Sequence, residues 1–248
     1  MLQALLAGKL SSTQENMEDV LTSCVFGSFR YMSHNDGLGV FLKEARGIDR
    51  DDRPFSDLWI NDAQYDFWPS WELEGLTNCE PDVVLSITDS NNKRWLALIE
   101  IKYRSGKSSH AKQGSRAPTD QLAKEWDHLT RRATELGCKP VLIYVTADVI
   151  YPASDIGHGS DDYDDHRLNT SAYESFCCFW ISWRSLYGMF CGQKGKVASD
   201  LRALAEKLGF KEFDGFHGDT KILPMKWAYA HSYNWNTRES GPVDWEYR

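Results

Sequence analysis

Apolar and polar positions recur along this chain with two distinct periods, and the periods mark out the elements. Over residues 13–32 the apolar side chains Met17, Val20, Leu21, Cys24, Val25, Phe29 and Met32 follow the three- and four-residue spacing of one buried helical stripe. Ser12 followed by Glu15 is a capping-box start for that helix. Residues 33–80 hold Gly37, Gly39, Pro54 and Pro69 among aromatics, which predicts an irregular, partly helical excursion. After Pro81 the pattern changes to β-rich runs: 82–88, a turn over 89–93, then 95–103. The second run (WLALIEIKY) is apolar on both faces until its end, as a central strand covered on two sides would be. A helix over 119–136 carries the stripe Leu122, Trp126, Leu129, Ala133 and Leu136, with Gly137 placed to stop it. Residues 140–145 form another buried-type strand, 151–172 read as a polar acidic loop, and 176–183 as a strand. A helix over 197–208 closes at Gly209, and the aromatic remainder (Trp227, Tyr229, Tyr233, Trp235, Trp245, Tyr247) reads as irregular packing against the body. Helices alternating with strands, without an internal repeat or a linker, predict one α/β domain over 1–248.

Composition narrows the class. Hydrophobic residues make up 42 % and charged residues 26 %, with ten tryptophans, which is material for a folded core and excludes disorder over most of the chain. No apolar run reaches the roughly 20 residues that span a bilayer, and the start MLQALLAGKL, without a basic or signal-length apolar stretch, predicts no export signal. The six cysteines show no CxxC pair, so reduced thiols in a cytoplasmic protein are expected. A net charge of −8 argues against a nucleic-acid partner until its distribution is considered. Residues 102–116 carry Lys102, Arg104, Lys107, Lys112 and Arg116 and no acid, so the rest of the chain holds −13. A basic, Gly- and Ser-rich loop on an acidic body suits a segment that orders on phosphates. Its GKSS run lacks the preceding half of a phosphate-cradling motif, and the acidic stretch from His158 to His166 lacks calcium-loop spacing.

The chemistry concentrates in Asp82, Glu100 and Lys102. Glu100 and Lys102 are two apart on a strand and so share a face. If the hairpin is symmetric about Asn91, paired residue numbers total 182, which sets Asp82 directly across from Glu100 with Cβ atoms roughly 5 Å apart. Two like charges there destabilise a bare sheet, whereas a hard divalent cation converts the repulsion into attraction. Carboxylates, a metal and a lysine together can activate water and stabilise a phosphate under attack.

Pro81-Asp82 followed by Glu100-Ile101-Lys102 at the end of an apolar strand resembles the PD-(D/E)xK nuclease superfamily, the restriction-endonuclease-like fold. The resemblance covers about 13–147 and implies an α/β/α core with a mixed central sheet flanked by helices, 148–248 being decoration. It further implies that Asp82 and Glu100 ligate Mg2+ (with Mn2+ able to substitute), joined by the Ile101 carbonyl and by Glu18 from the preceding helix. Lys102 then assists the attacking water, Gln121 on the following helix orients Lys102 or the substrate, and Arg104, Lys107, Lys112 and Arg116 contact phosphates. The exonuclease-type subgroup has an aromatic four residues after the Gln; Glu125 stands there, which argues against processive digestion from ends. The expected activity is endonucleolytic, metal-dependent hydrolysis of DNA. The resemblance also implies work inside a phage-defence, restriction or repair assembly, the expected partner being an ATPase, a helicase or another defence or repair subunit. Three alternatives stay open on the sequence: a nuclease acting on RNA, a non-catalytic binding module of the same fold, and a homo-oligomer.

Overall fold

The computed structural model describes residues 2–9, 17–49, 52–74, 76–103, 105–112, 114–167 and 174–211. In chain order the elements among them are α1 (Leu2–Leu6), α2 (Met17–Phe29), α3 (Leu38–Leu42), β1 (Ile60–Phe67), β2 (Val83–Asp89), β3 (Arg94–Ile101), α4 (Gln121–Leu136), β4 (Lys139–Thr146), α5 (Ala153–Arg167), β5 (Cys178–Ser182), α6 (Ser185–Met189) and α7 (Lys196–Lys207). The strands form one sheet in the order β1-β2-β3-β4-β5. Its first three strands run antiparallel, and β3, β4 and β5 run parallel.

The β2–β3 hairpin adopts the symmetric register, pairing Val83 with Ile99, Leu85 with Ala97 and Thr88 with Arg94. Asp89 builds its turn. Its Oδ1 accepts the Asn91 and Lys93 N–H groups at 2.8 and 2.9 Å, and its Oδ2 accepts the Trp95 indole N–H at 3.1 Å. Asn92 takes φ 59°, the left-handed region that asparagine tolerates.

Alternation along the strands divides the apolar side chains into two layers. Val83, Leu85, Ile87, Ala97, Ile99, Ile101, Ile143 and Ile181 pack with Leu21, Val25, Phe26 and Phe29 of α2 and with Leu201 and Leu204 of α7. On the opposite face Val84, Leu96, Leu98, Leu142, Tyr144 and Trp180 meet Leu122, Trp126 and Leu129 of α4 and Tyr163 of α5. The molecule is therefore α/β with helices on both faces of a mixed sheet. Each fully buried large apolar side chain contributes roughly 1.5–3 kcal/mol. α4 starts on the side chain of Asp120, which accepts the Leu122 N–H at 3.0 Å. It ends at Gly137, whose φ of 63° a residue with a Cβ adopts at a cost.

The structure corrects several expectations. Residues 33–80 contain a strand, β1, which pairs with β2 along its length. The acidic segment read as a loop contains the helix α5, held down by Ile156, Gly159, Asp162 and Tyr163. Asp162 fixes it there, its Oδ2 accepting the Thr119 and Asp120 N–H groups, each at 2.7 Å. Leu136 is 50 % exposed and belongs to neither layer. The sheet also continues past residue 147, because β5 pairs with β4. The aromatics from Trp227 onward lie outside the described residues. Among the described residues no helix is long and apolar enough to cross a membrane.

Candidate functional site

The carboxyl end of β3 collects the acidic residues. Glu100 and Lys102 extend the face that carries Leu96 and Leu98, the face covered by α4. Asp82 stands one position before the first paired residue of β2, on the rung the register assigns to Glu100. Its Oδ2 accepts the Ile101 N–H at 2.8 Å, which ties the start of one strand to the end of the other. The Lys102 ammonium lies 2.8 Å from Glu100 Oε1, with both side chains largely shielded from water. The Lys102 backbone N–H donates to the Val145 carbonyl at 2.8 Å, so β4 positions the lysine.

Two helices close the cluster. Gln121, in the first turn of α4, donates from Nε2 to Glu100 Oε1 and, at 3.1 Å, to Glu125 Oε1. Its own Oε1 accepts the Ser108 N–H at 2.8 Å, which fixes the amide's orientation through the loop that follows β3. Glu18 of α2 reaches the same strand end from the other layer. Its Oε1 accepts the Tyr103 N–H at 2.8 Å and the Ser105 hydroxyl at 2.5 Å. The structure thus brings Asp82, Glu100, Lys102, Gln121 and Glu18 together around one strand end. Ile101 has its side chain in the opposite layer and presents only its backbone here.

Charge is concentrated and poorly hydrated in this cluster. Burial first, then the Glu100 charge, push the Asp82 carboxyl up to about 8, against the Ile101 N–H and Lys102, which lower it. Burial also raises Glu100, opposed by the Lys102 ammonium. Burial alone lowers the Lys102 ammonium, but Glu100, Glu18 and Asp82 outweigh it and hold it above its ordinary value. Glu125 was not among the residues expected here. It is buried, with Oε2 lacking a hydrogen-bond partner, and burial followed by the neighbouring Glu100 raises it well above the ordinary range. The signal for it was available, since residues 121 and 125 lie one helical turn apart and so share a face.

The basic loop divides. Lys112 and Arg116 are exposed, and Arg104 lies outside the described residues. Lys107 is not a surface cation: its side chain is buried, paired with the Asp120 carboxylate and donating to the Asp155 carbonyl at 2.9 Å. A buried lysine needs such a partner, so this residue anchors the loop instead of reaching a phosphate.

Among the described residues no group of three or more His, Cys, Asp or Glu side chains is gathered closely enough to hold a metal ion. The donor chemistry nevertheless fits a hard divalent cation. Asp82 and Glu100 offer carboxylate oxygens on adjacent strands, and their mutual repulsion is what a cation relieves. Compared with protein-family models, with curated proteins and with solved structures, the chain matches none of them.

Proposed function

We propose that this protein is a divalent-metal-dependent nuclease of restriction-endonuclease-like fold. The observation that carries the reading is the convergence of Asp82, Glu100 and Lys102 at one strand end, with Gln121 bonded to Glu100 from the following helix. The mixed sheet between two helical layers supports it as well.

In this reading Asp82, Glu100 and the Ile101 carbonyl would hold Mg2+ or Mn2+, with Glu18 adding negative charge from the far side. A bound ion supplies the positive charge that offsets charge developing on the phosphate. Lys102 holds the attacking water by donating a hydrogen bond, its own charge kept by Glu100. Gln121 holds Glu100 in place, so that the carboxylate keeps one orientation while charge moves nearby. Lys112 and Arg116 present exposed cations to the nucleic-acid backbone from the loop beside α4.

The test is nicking of supercoiled plasmid, and cleavage of a labelled RNA, in magnesium or manganese. Wild type, Asp82→Asn and Lys102→Ala are compared after circular dichroism has shown equal folding. Metal-dependent cleavage is expected from the wild type, falling by about 10²–10⁴-fold in Lys102→Ala, the scale of one lost proton-handling group. Equal activity in wild type and both variants would overturn the assignment.

A second reading is a non-catalytic nucleic-acid-binding module of the same fold. It is favoured by the engagement of Glu100 Oε1 with both Lys102 and Gln121, which satisfies the carboxylate within the protein. Nucleic-acid binding by the wild type without cleavage in either metal would select it.

A further inference from the structure

The parallel half of the sheet carries a second polar feature level with the acidic cluster. Register aligns Glu100 with Tyr144 and Tyr144 with Trp180, and two positions further along it aligns Thr146 with Ser182. Outside the carboxyl half of β5 lies a cavity of about 220 Å³ lined by Glu44, Arg46, Arg53, Arg184, Ser182 and Ser185, together with Val149. Among the described residues, three arginines and one glutamate line this small polar recess on a protein that is acidic overall.

Two of these arginines are held in place. Arg46 forms an antiparallel bridge to the outer edge of β5, exchanging backbone hydrogen bonds with Trp180 at 3.0 and 2.9 Å. Its guanidinium lies over the Trp180 ring, 4.4 Å from the centroid, on the face of the sheet that also carries Glu100. Arg184 donates from Nε to the Ala147 carbonyl at 3.0 Å, and its backbone N–H reaches Ser182 Oγ at 3.3 Å. Nearby, the Asp148 carboxylate accepts the Thr146 hydroxyl at 2.7 Å. Fixing the stems of arginines in advance reduces the side-chain entropy lost when an anion binds. Guanidinium forks match the two unesterified oxygens of a phosphodiester better than lysine ammonium groups do.

We propose that Arg46, Arg53 and Arg184 form a phosphate subsite for the backbone of the nucleic acid on which the Asp82–Glu100–Lys102 cluster acts. The inference rests on the nuclease reading for the identity of the polymer. Its geometry is independent of that reading. Two strand spacings separate Glu100 from Trp180, roughly 10 Å, and the pocket lies just beyond. A backbone carrying a charge at every nucleotide, laid across the carboxyl ends of β3, β4 and β5, reaches both places. This assigns backbone contact to a rigid sheet edge, in addition to the basic loop that follows β3.

The experiment measures binding of fluorescein-labelled duplex DNA, single-stranded DNA and RNA by anisotropy over a range of salt concentrations. Full-length protein carrying Lys102→Ala is used throughout, so that cleavage does not intervene, with Arg53→Ala, Arg184→Ala and the double variant compared on that background. The double variant is expected to bind at least 10-fold more weakly. The slope of log K against log salt is expected to shrink by about two, one for each phosphate no longer neutralised. Arg53 is exposed, so Arg53→Ala alone serves as the variant whose folding is not at issue, with a slope smaller by about one. Inorganic phosphate and pyrophosphate are added as competitors. Displacement of the polymer only at concentrations far above that of the polymer is expected, whereas equal potency of the small anion would make the pocket a site for free phosphate and overturn the assignment. Unchanged affinity and slope in the double variant would overturn it too, as would no binding to any of the three polymers. The two readings fail separately. Cleavage lost in Asp82→Asn with normal binding by the arginine variants removes the subsite and keeps the nuclease. Weakened binding by the arginine variants with no cleavage by the wild type does the reverse.

Discussion

Burial, followed by the neighbouring Glu100 charge, holds the Glu125 carboxyl well above the ordinary glutamate range. The hydrogen bond that Gln121 donates to Glu125 acts the other way and lowers it. In the unfolded chain the same group ionises near 4.3, so above that pH the folded state holds more protons than the unfolded state, and stability falls as pH rises toward the raised native value. Asp82, raised to about 8, acts with the same sign between roughly pH 4 and 8. Glu125→Gln removes one of these liabilities while Gln121 still finds an oxygen to donate to. The variant is expected to match the wild type in urea denaturation at pH 4.5 and to exceed it by about 1–3 kcal/mol at pH 7.5. A constant difference across that range would show that Glu125 is ionised in the folded protein. The acids at 82 and 100 were legible in the sequence because strand periodicity places side chains on faces. The upward shift of Glu125 was not, because it depends on how deeply α4 covers that face.

At the scale of elements, legibility followed the apolar pattern. β2, β3, β4 and α4 bury continuous or periodic apolar residues, and the sequence reading placed them within a few positions. β1 escaped because it is an edge strand whose sequence INDAQYDF buries only Ile60 and half-buries Ala63, Tyr65 and Phe67. α5 escaped because polar contacts hold it as much as apolar ones: Asp162 takes two backbone N–H groups at the start of α4, and Gly159 lets the two helices approach. A Cβ at Gly159 would stand 3.1 Å from Leu122 Cβ. The same helix start explains Lys107. Asp120 serves both as N-cap of α4 and as the lysine's buried partner. Lys107→Met should therefore leave a buried carboxylate alone and lower stability by about 3–5 kcal/mol, measured by urea denaturation. Adding Asp120→Asn removes that charge and keeps the cap, so the double variant should recover most of the loss. Additive losses would show that the pair contributes nothing as a pair.

At the scale of the whole molecule, charge and packing are arranged on different plans. An acidic chain carries two basic features: the exposed Lys112 and Arg116 in the loop before α4, and the arginine recess at the outer edge of β5. Net charge alone therefore says little about what either surface attracts, since the arrangement of a few side chains in space decides that. The basic loop was visible as a run of sequence. The recess was not, because Arg46, Arg53 and Arg184 come from segments that only the fold brings together.

The hairpin register has a consequence for how this chain can change. Asp82 and Glu100 meet because Val83, Leu85 and Ile87 on one strand and Ala97 and Ile99 on the other must all enter the same apolar layer. The chemistry is thus inherited from the packing, and the turn at Asp89–Lys93 only joins the two strands. On the nuclease proposal, one residue inserted after Asn91 should be absorbed as a looser turn, lowering the melting temperature while cleavage per folded molecule stays unchanged. The same insertion after Leu98 should send Glu100 toward the opposite layer and abolish both fold and cleavage. A turn insertion that kept the fold but silenced cleavage would show instead that the turn sets the register. Over generations, then, drift in that turn is silent to the chemistry, while a slip of one position within either strand erases it.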